Sequence, residues 1–175
     1  LIYSGSSTKF GDNGMGSNAS PYAWTKSSNS QLVINYGTWF HIDYAITYFY
    51  NVYGENEISE GKYATLIALF NGKIREGKPL TVVSPGNQVR NFTHIDDIIK
   101  GLIIVGEKGN GDGFGIGSKE SYTILEIANM FNGIIEMIPE RKGNRMTAEL
   151  VTQKTENLGW TAKKSIEKYI AKLIS

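Results

Sequence analysis

The run Tyr44-Ala-Ile-Thr-Tyr-Phe-Tyr50 is β-branched and aromatic, with apolar residues at odd and even positions alike. A strand with one wet face alternates polar and apolar residues, whereas a strand covered on both faces does not. The segment therefore predicts a central parallel strand, and parallel strands need helical crossovers to reach their partners. The remaining chain offers such pieces. Leu1-Ile2-Tyr3-Ser4 reads as a buried strand stopped by Gly5. Ser20 and Pro21 suit the N-cap and first position of a helix over 21–36, ended by Gly37. Further on, a helix is expected over 62–76, with Ala64, Ile67, Ala68 and Ile74 inward and Gly77 and Pro79 beyond its end.

The alternation continues to the C-terminus. Short strands are expected over 80–83, 91–93, 114–116 and 134–138, with a turn at Ser84-Pro-Gly-Asn87 and a helix over 96–105. Thr123 and Glu126 form the spacing of a capping box and open a helix that ends near Gly133. A last helix from about Thr161 would bury Ile166, Ile170 and Leu173. The fold class expected is α/β: part of a Rossmann-like parallel sheet plus a smaller mixed α/β portion.

Composition excludes several functions. Eighteen basic residues against 17 acidic ones give a net charge of +1, so no electrostatic argument favours nucleic acid as partner. No apolar run approaches the roughly 18 residues of a membrane span, and no signal peptide is visible. With no cysteine and only two histidines, His41 and His94, far apart in sequence, neither a thiol nucleophile nor a metal site is expected. A cytoplasmic protein is the expectation. The chain opens without Met in what reads as mid-strand, as a fragment would.

Tyr22 and Lys26 stand four residues apart on the first helix and so share a face. A phenol with its ordinary pKa of about 10 is a poor base, and a nearby ammonium favours the phenolate. The spacing alone is weak, because this number of tyrosines and lysines gives roughly one match by chance. Context strengthens it. The pair follows a strand and a turn carrying Ser6, Ser7 and Thr8, and open α/β sheets place ligands where strand ends face helix N-termini.

Several segments, taken in order, resemble the extended short-chain dehydrogenase/reductase family, in particular its nucleotide-sugar epimerases and dehydratases. Ser4-Gly-Ser-Ser-Thr-Lys-Phe-Gly11 resembles the end of that family's fifth strand, and Ser20-Pro-Tyr-Ala-Trp-Thr-Lys26 its Tyr-x-x-x-Lys helix. Phe49-Tyr-Asn-Val-Tyr-Gly54, Val89-Arg-Asn-Phe-Thr-His-Ile-Asp-Asp97, Phe114-Gly-Ile-Gly117 with Ser121-Tyr-Thr-Ile-Leu125, and Leu158-Gly-Trp160 follow in the family's order. The resemblance covers nearly the whole chain.

It implies a site residue by residue. Ser6 would hydrogen-bond the reacting sugar oxygen, Tyr22 would move the hydroxyl proton, and Lys26 would bind the nicotinamide ribose, so that Tyr22 and Lys26 also form the cofactor side. Ser7, Asn51, Arg90, Arg141 and Asn144 would line the sugar-nucleotide side, with the guanidinium of Arg90 suited to a diphosphate. The implied cofactor is NAD, with NADP not excluded, and the implied substrate is a nucleotide-diphosphate sugar. The implied organisation puts the catalytic Ser/Tyr/Lys in 1–55 and a mainly substrate-binding portion in 56–175, some of whose segments return to the sheet. A homodimer through the Tyr22–Lys26 helix is implied as well. Asp97 is expected to brace its helix and His94 to be a packed or backbone-bonded histidine.

The chain also departs from the pattern. No Gly-x-Gly-x-x-Gly fingerprint is present, and the N-terminal dinucleotide-binding half would be missing. The loop between Ser6 and Tyr22 is short, Ser7 and Thr8 stand where 4,6-dehydratases carry an acidic pair, Tyr48 replaces an arginine, and Asn144 an acidic residue. The expected reaction is epimerisation, at C4 of a UDP-sugar. The alternatives are a 4-keto-sugar reductase of the same family and a truncated, non-catalytic sugar-nucleotide-binding module.

Overall fold

A computed structural model of the chain describes residues 1–11, 16–18, 20–61, 63–140 and 149–175. Strand β1 (Ile2–Ser4) leads through a 3-10 turn at Ser7–Phe10 to helix α1 (Pro21–Phe40), and β2 (Ala45–Phe49) returns beside β1. The order in this sheet is β1, β2, β7 (Gly111–Ile116), all parallel, so the Tyr44–Tyr50 run supplies the central strand. Its residues Ala45 to Tyr48 are buried without alternation. Helix α3 (Ile95–Lys108) covers one face, where its Val105 packs with Ala45 and Phe114. Ile98 of α3 packs with Ile116 and Trp160 in a neighbouring cluster.

The second half of the chain builds smaller pairings. β3 (Val52–Tyr53) pairs parallel with β6 (Thr93–His94), and β5 (Val89–Asn91) antiparallel with β8 (Ser121–Thr123). β4 (Leu80–Val83) lies parallel to β9 (Ile135–Ile138). Around them α2 (Leu66–Arg75), α4 (Ile124–Met130) and α6 (Ile166–Ile174) enclose the largest core, which holds Phe70, Leu80, Phe131 and Ile170. The capping box of α4 is present, with Thr123 Oγ1 accepting from the Glu126 amide and Glu126 accepting from Thr123.

Several boundaries differ from expectation, each for a packing reason. α1 continues through Gly37 to Phe40, because Gly37 leaves room for Tyr44: a Cβ there would stand 2.4 Å from its ring. The helix ends instead at His41, in the left-handed conformation. The strand expected over 91–93 divides at Phe92, which turns into the core while β5 and β6 pair with different partners. α2 begins only at Leu66, with Ile67 and Phe70 buried and Ala64 outside the helix. The last helix starts at Ile166 rather than Thr161, and a short helix α5 (Gln153–Asn157), not anticipated, precedes it.

The segment before that last helix is held by Asp97, in the first turn of α3. Its Oδ2 accepts from the amides of Lys163 and Lys164, both at 2.8 Å, and its carbonyl accepts from the Trp160 indole at 2.8 Å. Asp97 is therefore a brace, though between α3 and the 160–164 segment rather than for its own helix. Among the described residues no helix is long and apolar enough to cross a membrane.

Candidate active site

The parallel strands β1, β2 and β7 end together at Ser4, Phe49 and Ile116. Ser6 lies two residues past the first of these ends, Asn51 two past the second, and Ser118 two past the third. Carboxyl ends of parallel strands leave a crevice that side chains from the following loops can line.

Ser6 is the N-cap of the 3-10 turn. Its Oγ accepts from the Thr8 hydroxyl at 2.9 Å and, more weakly, from the Thr8 amide at 3.4 Å. Two donations to one oxygen leave the serine's own proton free to point away from the turn. Ser7, next along, is buried. α1 is fixed beside this turn by its cap, Ser20 Oγ accepting from the Ala23 amide at 3.1 Å. One turn into the helix, Lys26 Nζ donates to the carbonyl of Ser4 at 2.9 Å and sits 5.3 Å from the centre of the Tyr3 ring. Ser6 and Lys26 line one narrow crevice, closed up by its own side chains, together with Ala23, Ser30 and Tyr48. Tyr22 does not line it: its side chain is 59% exposed, on the same helix one turn before Lys26.

The substrate-side candidates fall into two groups. Asn51, with φ of 32°, donates its amide to the carbonyl of Asn91 at 2.9 Å. Asn91 in turn donates to the Ser118 carbonyl at 3.0 Å, tying three loop ends into one rim. Arg90 precedes Asn91 on β5, half-buried, and one guanidinium nitrogen donates to the Val89 carbonyl at 2.7 Å. Asn51 and Arg90 are thus neighbours across the β5 backbone, though 39 residues apart in sequence. Arg141 and Asn144 lie outside the described residues. His94, at the N-terminus of α3, accepts from the Asp96 amide at Nδ1 (3.1 Å) and packs edge-on against Tyr53 and Tyr169, a backbone-bonded histidine. Burial holds its pKa below the ordinary imidazole value, and Asp96 opposes this only in part.

Sequence reasoning missed a second polar cluster, of which Lys9 and Tyr48 line the same crevice and Asp112 lies behind them. Lys9 Nζ donates to Asp112 Oδ2 at 2.7 Å and to the Tyr48 hydroxyl at 3.1 Å, and that hydroxyl donates to Asp112 Oδ1 at 2.7 Å. Burial, then the Asp112 carboxylate, push the Tyr48 phenol far up, so it stays protonated. Burial alone would raise the Asp112 pKa, but hydrogen bonds from Lys9 and Tyr48 outweigh it and hold the carboxyl below its usual range. No spacing rule joins Lys9 to residues 39 and 103 positions away. The only signal was Tyr48, an unusual residue at its motif position. Among the described residues no group of three or more His, Cys, Asp or Glu side chains could hold a metal ion.

Comparisons with known proteins agree with this architecture. The chain is 27% identical over 161 residues to a putative UDP-glucose 4-epimerase of Methanocaldococcus jannaschii, covering 89% of this chain and 52% of that protein. The chain therefore spans about half the length of that curated relative. Among solved structures it resembles a UDP-glucose 4-epimerase of Thermotoga maritima crystallised with UDP-glucose, with a TM-score of 0.87 at 22% identity, covering 99% of this chain and 61% of that one. A dTDP-glucose 4,6-dehydratase of Streptomyces venezuelae, bound to NAD, gives a TM-score of 0.87 at 23% identity, covering 99% and 58%. These structural likenesses speak for the fold: a partial Rossmann-like chain. Residues 1–117, two thirds of the sequence, match the model of the NAD dependent epimerase/dehydratase family, and the chain belongs to that family.

Proposed function

We propose that the protein containing this chain is an NAD-dependent epimerase acting at C4 of a UDP-sugar, in the cytoplasm, with Ser6, Tyr22 and Lys26 as its catalytic groups. The observation that carries the reading is the Lys26–Ser4 hydrogen bond of 2.9 Å, which fastens the helix bearing Tyr22 to the end of the strand that leads into Ser6. NAD, when bound, supplies the acceptor and donor of hydride. Lys26 fits that group chemically: of three ammonium protons one goes to Ser4, leaving two for ribose hydroxyls. Ser6, its oxygen already accepting from Thr8, directs its proton to the sugar's reacting oxygen. Tyr22 takes the proton from the C4 hydroxyl as the carbon becomes a ketone, and returns it after the sugar has turned over. Tyr22 is exposed one turn before Lys26, and this role requires its hydroxyl to meet the sugar at the edge of the Ser6–Lys26 crevice.

Residues 1–55 would then carry the chemistry and 56–175 mainly the sugar nucleotide. On that side Asn51 and Arg90 suit the diphosphate, with Ser7, Arg141 and Asn144 as further candidates. Dehydration is disfavoured, because it needs an acid and a base beside Ser6. Ser7 and Thr8 offer only hydroxyls, and the carboxylate of Asp112 is held by Lys9 and Tyr48. The aromatic residues exposed along α1, among them Trp24, Tyr36, Trp39 and Phe40, suit packing against a second copy of the chain.

The test uses the full-length protein. Tyr22→Phe should abolish turnover of a UDP-hexose while calorimetric affinity for the sugar nucleotide stays within a few-fold. Turnover should need only catalytic NAD⁺; stoichiometric consumption of NADPH would assign a keto-sugar reductase instead. Sugar-nucleotide binding without turnover in the unmodified protein would leave only a binding module.

A further inference from the structure

We propose that Lys9, Tyr48 and Asp112 form a positioning unit for Ser6, a clamp that fixes the direction of the serine hydroxyl from both sides of its turn. The proposal rests on the reading of Ser6 given above. None of the three side chains is assigned a contact with substrate; they act through the turn.

The geometry closes a ring. Asp112, near the start of β7, receives Lys9 on one carboxylate oxygen and Tyr48 on the other, each at 2.7 Å, and Lys9 bonds Tyr48 at 3.1 Å. The Lys9 and Asp112 side chains are 34% and 27% exposed, so the pair is partly shielded from solvent, and charge-assisted bonds of this length are stronger than surface pairs. On the C-terminal side of Ser6, the clamp grips Lys9 directly, and Phe10 sets its ring edge-on to Tyr48 with centroids 4.8 Å apart. On the N-terminal side, the buried Tyr48 ring presses on Gly5 so closely that a Cβ there would stand 2.6 Å from it. Gly5 before Ser6, and Lys9 and Phe10 after it, are therefore seated against one immobilised phenol. Between them Thr8 holds the Ser6 oxygen at 2.9 Å.

A brace whose only work was to stabilise the sheet would have no need to reach the serine turn. Here one member of the ring belongs to that turn, and the ring's aromatic body fills the space beside it. Tyr48 remains a hydrogen-bond donor and Asp112 an acceptor across neutral pH, so the clamp keeps one geometry while protons move nearby.

Three variants of the full-length protein test this: Lys9→Met, Asp112→Asn and Lys9→Arg. Hydrogen exchange of the Lys9 and Gly11 amides, which donate to Ser6 and Thr8 carbonyls at 3.1 and 3.0 Å, reports the turn without reference to activity. In Lys9→Met and Asp112→Asn those amides should exchange roughly ten-fold faster while β2 amides are unchanged. In the same variants kcat should fall roughly ten- to a hundred-fold, the range expected for sub-ångström to ångström misplacement, with KM nearly constant. Lys9→Arg, which keeps the cation, should recover most of both. Unchanged exchange with unchanged kcat overturns the proposal. So does a parallel loss of kcat and thermal stability that Lys9→Arg does not rescue. If the unmodified protein turns over no sugar, the epimerase reading fails, and the exchange data alone still decide whether the clamp exists.

Discussion

Replacing Asp97 by alanine should destabilise the fold more than any single change at the surface. The carboxylate is fully buried and binds two backbone amides, of Lys163 and Lys164, at 2.8 Å each. Hydrogen bonds to a charged group contribute about 1.5–3 kcal/mol each, which alone would suggest about 3–6 kcal/mol. Two effects reduce that figure. Lys163 and Lys164 are exposed residues, so water can reach part of the freed backbone, and removing a buried charge relieves its desolvation. The second effect is substantial here, because Asp97 Oδ1 has no hydrogen-bond partner and its nearest cation, Lys100, stands 4.0 Å away. A net loss of about 2–4 kcal/mol remains, a large fraction of a domain's stability. In a chain of this size it lowers the melting temperature by about 5–15 °C. Asp97→Asn keeps an acceptor toward the two amides and places an amide nitrogen at the unpartnered Oδ1 position, so it should cost only about 1 kcal/mol. Urea unfolding followed by far-UV circular dichroism and by tryptophan emission measures both variants, since Trp160, which donates to the Asp97 carbonyl, is buried while Trp24 and Trp39 are exposed. A loss below about 1 kcal/mol for the alanine variant, or equal losses for alanine and asparagine, would refute the bracing argument.

Two further outcomes follow from the same structure. Burial holds the His94 pKa below the ordinary value near 6.5, so the unfolded chain takes up the proton first as pH falls. The stability from a neutral His94, amid Asp96, Lys164, Asp97 and Glu55, is full above about pH 6.5 and declines below it; urea midpoints from pH 8 to 5 should show this, and a slope unchanged in His94→Asn would count against it. Ser20→Ala removes the acceptor for the Ala23 amide at the start of α1 and should cost about 1 kcal/mol, with Ser20→Asp restoring it; equal thermal midpoints for all three proteins would contradict the capping role.

The fold was legible in the sequence where a local signal and the packing agree. The Tyr44–Tyr50 run announced a strand buried on both faces, and the structure makes it the centre of the parallel sheet. Ser20-Pro21 and Thr123/Glu126 announced helix starts through the amides they satisfy, and both caps are made. Where a tertiary contact overrides local preference, the sequence misled. Gly37 looks like a helix stop, yet it is the residue that lets Tyr44 lie against the helix, so α1 runs on. Thr161 looks like a helix start, yet the helix opens at Ile166 behind its Ser165 cap, and the segment before it is held to Asp97. α1 was hard to read for a related reason: its apolar residues are spread around the helix, with only Ala23 and Ser30 buried and Trp24, Leu32, Tyr36 and Trp39 exposed.

The candidate site shows the same division at higher resolution. Tyr22 and Lys26 could be paired from spacing because one helix carries both. Their relation to Ser6 could come only from the order of strand, turn and helix, and in the structure a single bond from Lys26 to Ser4 carries it. The Lys9–Tyr48–Asp112 ring had no sequence signature, since its members come from a turn and two strands that only the folded sheet brings together. That is also why it matters for the turn that carries Ser6. A hydroxyl whose orientation depended on its own short turn would sample several rotamers, each separated by little energy. Tying that turn to the central strand and its neighbour transfers the rigidity of the parallel sheet to one oxygen atom. Placement of the turn is then tied to the packing of β2 against β7, whose register shifts between Ala45 and Thr47, and a change that loosens this packing should show first in hydrogen exchange of the turn.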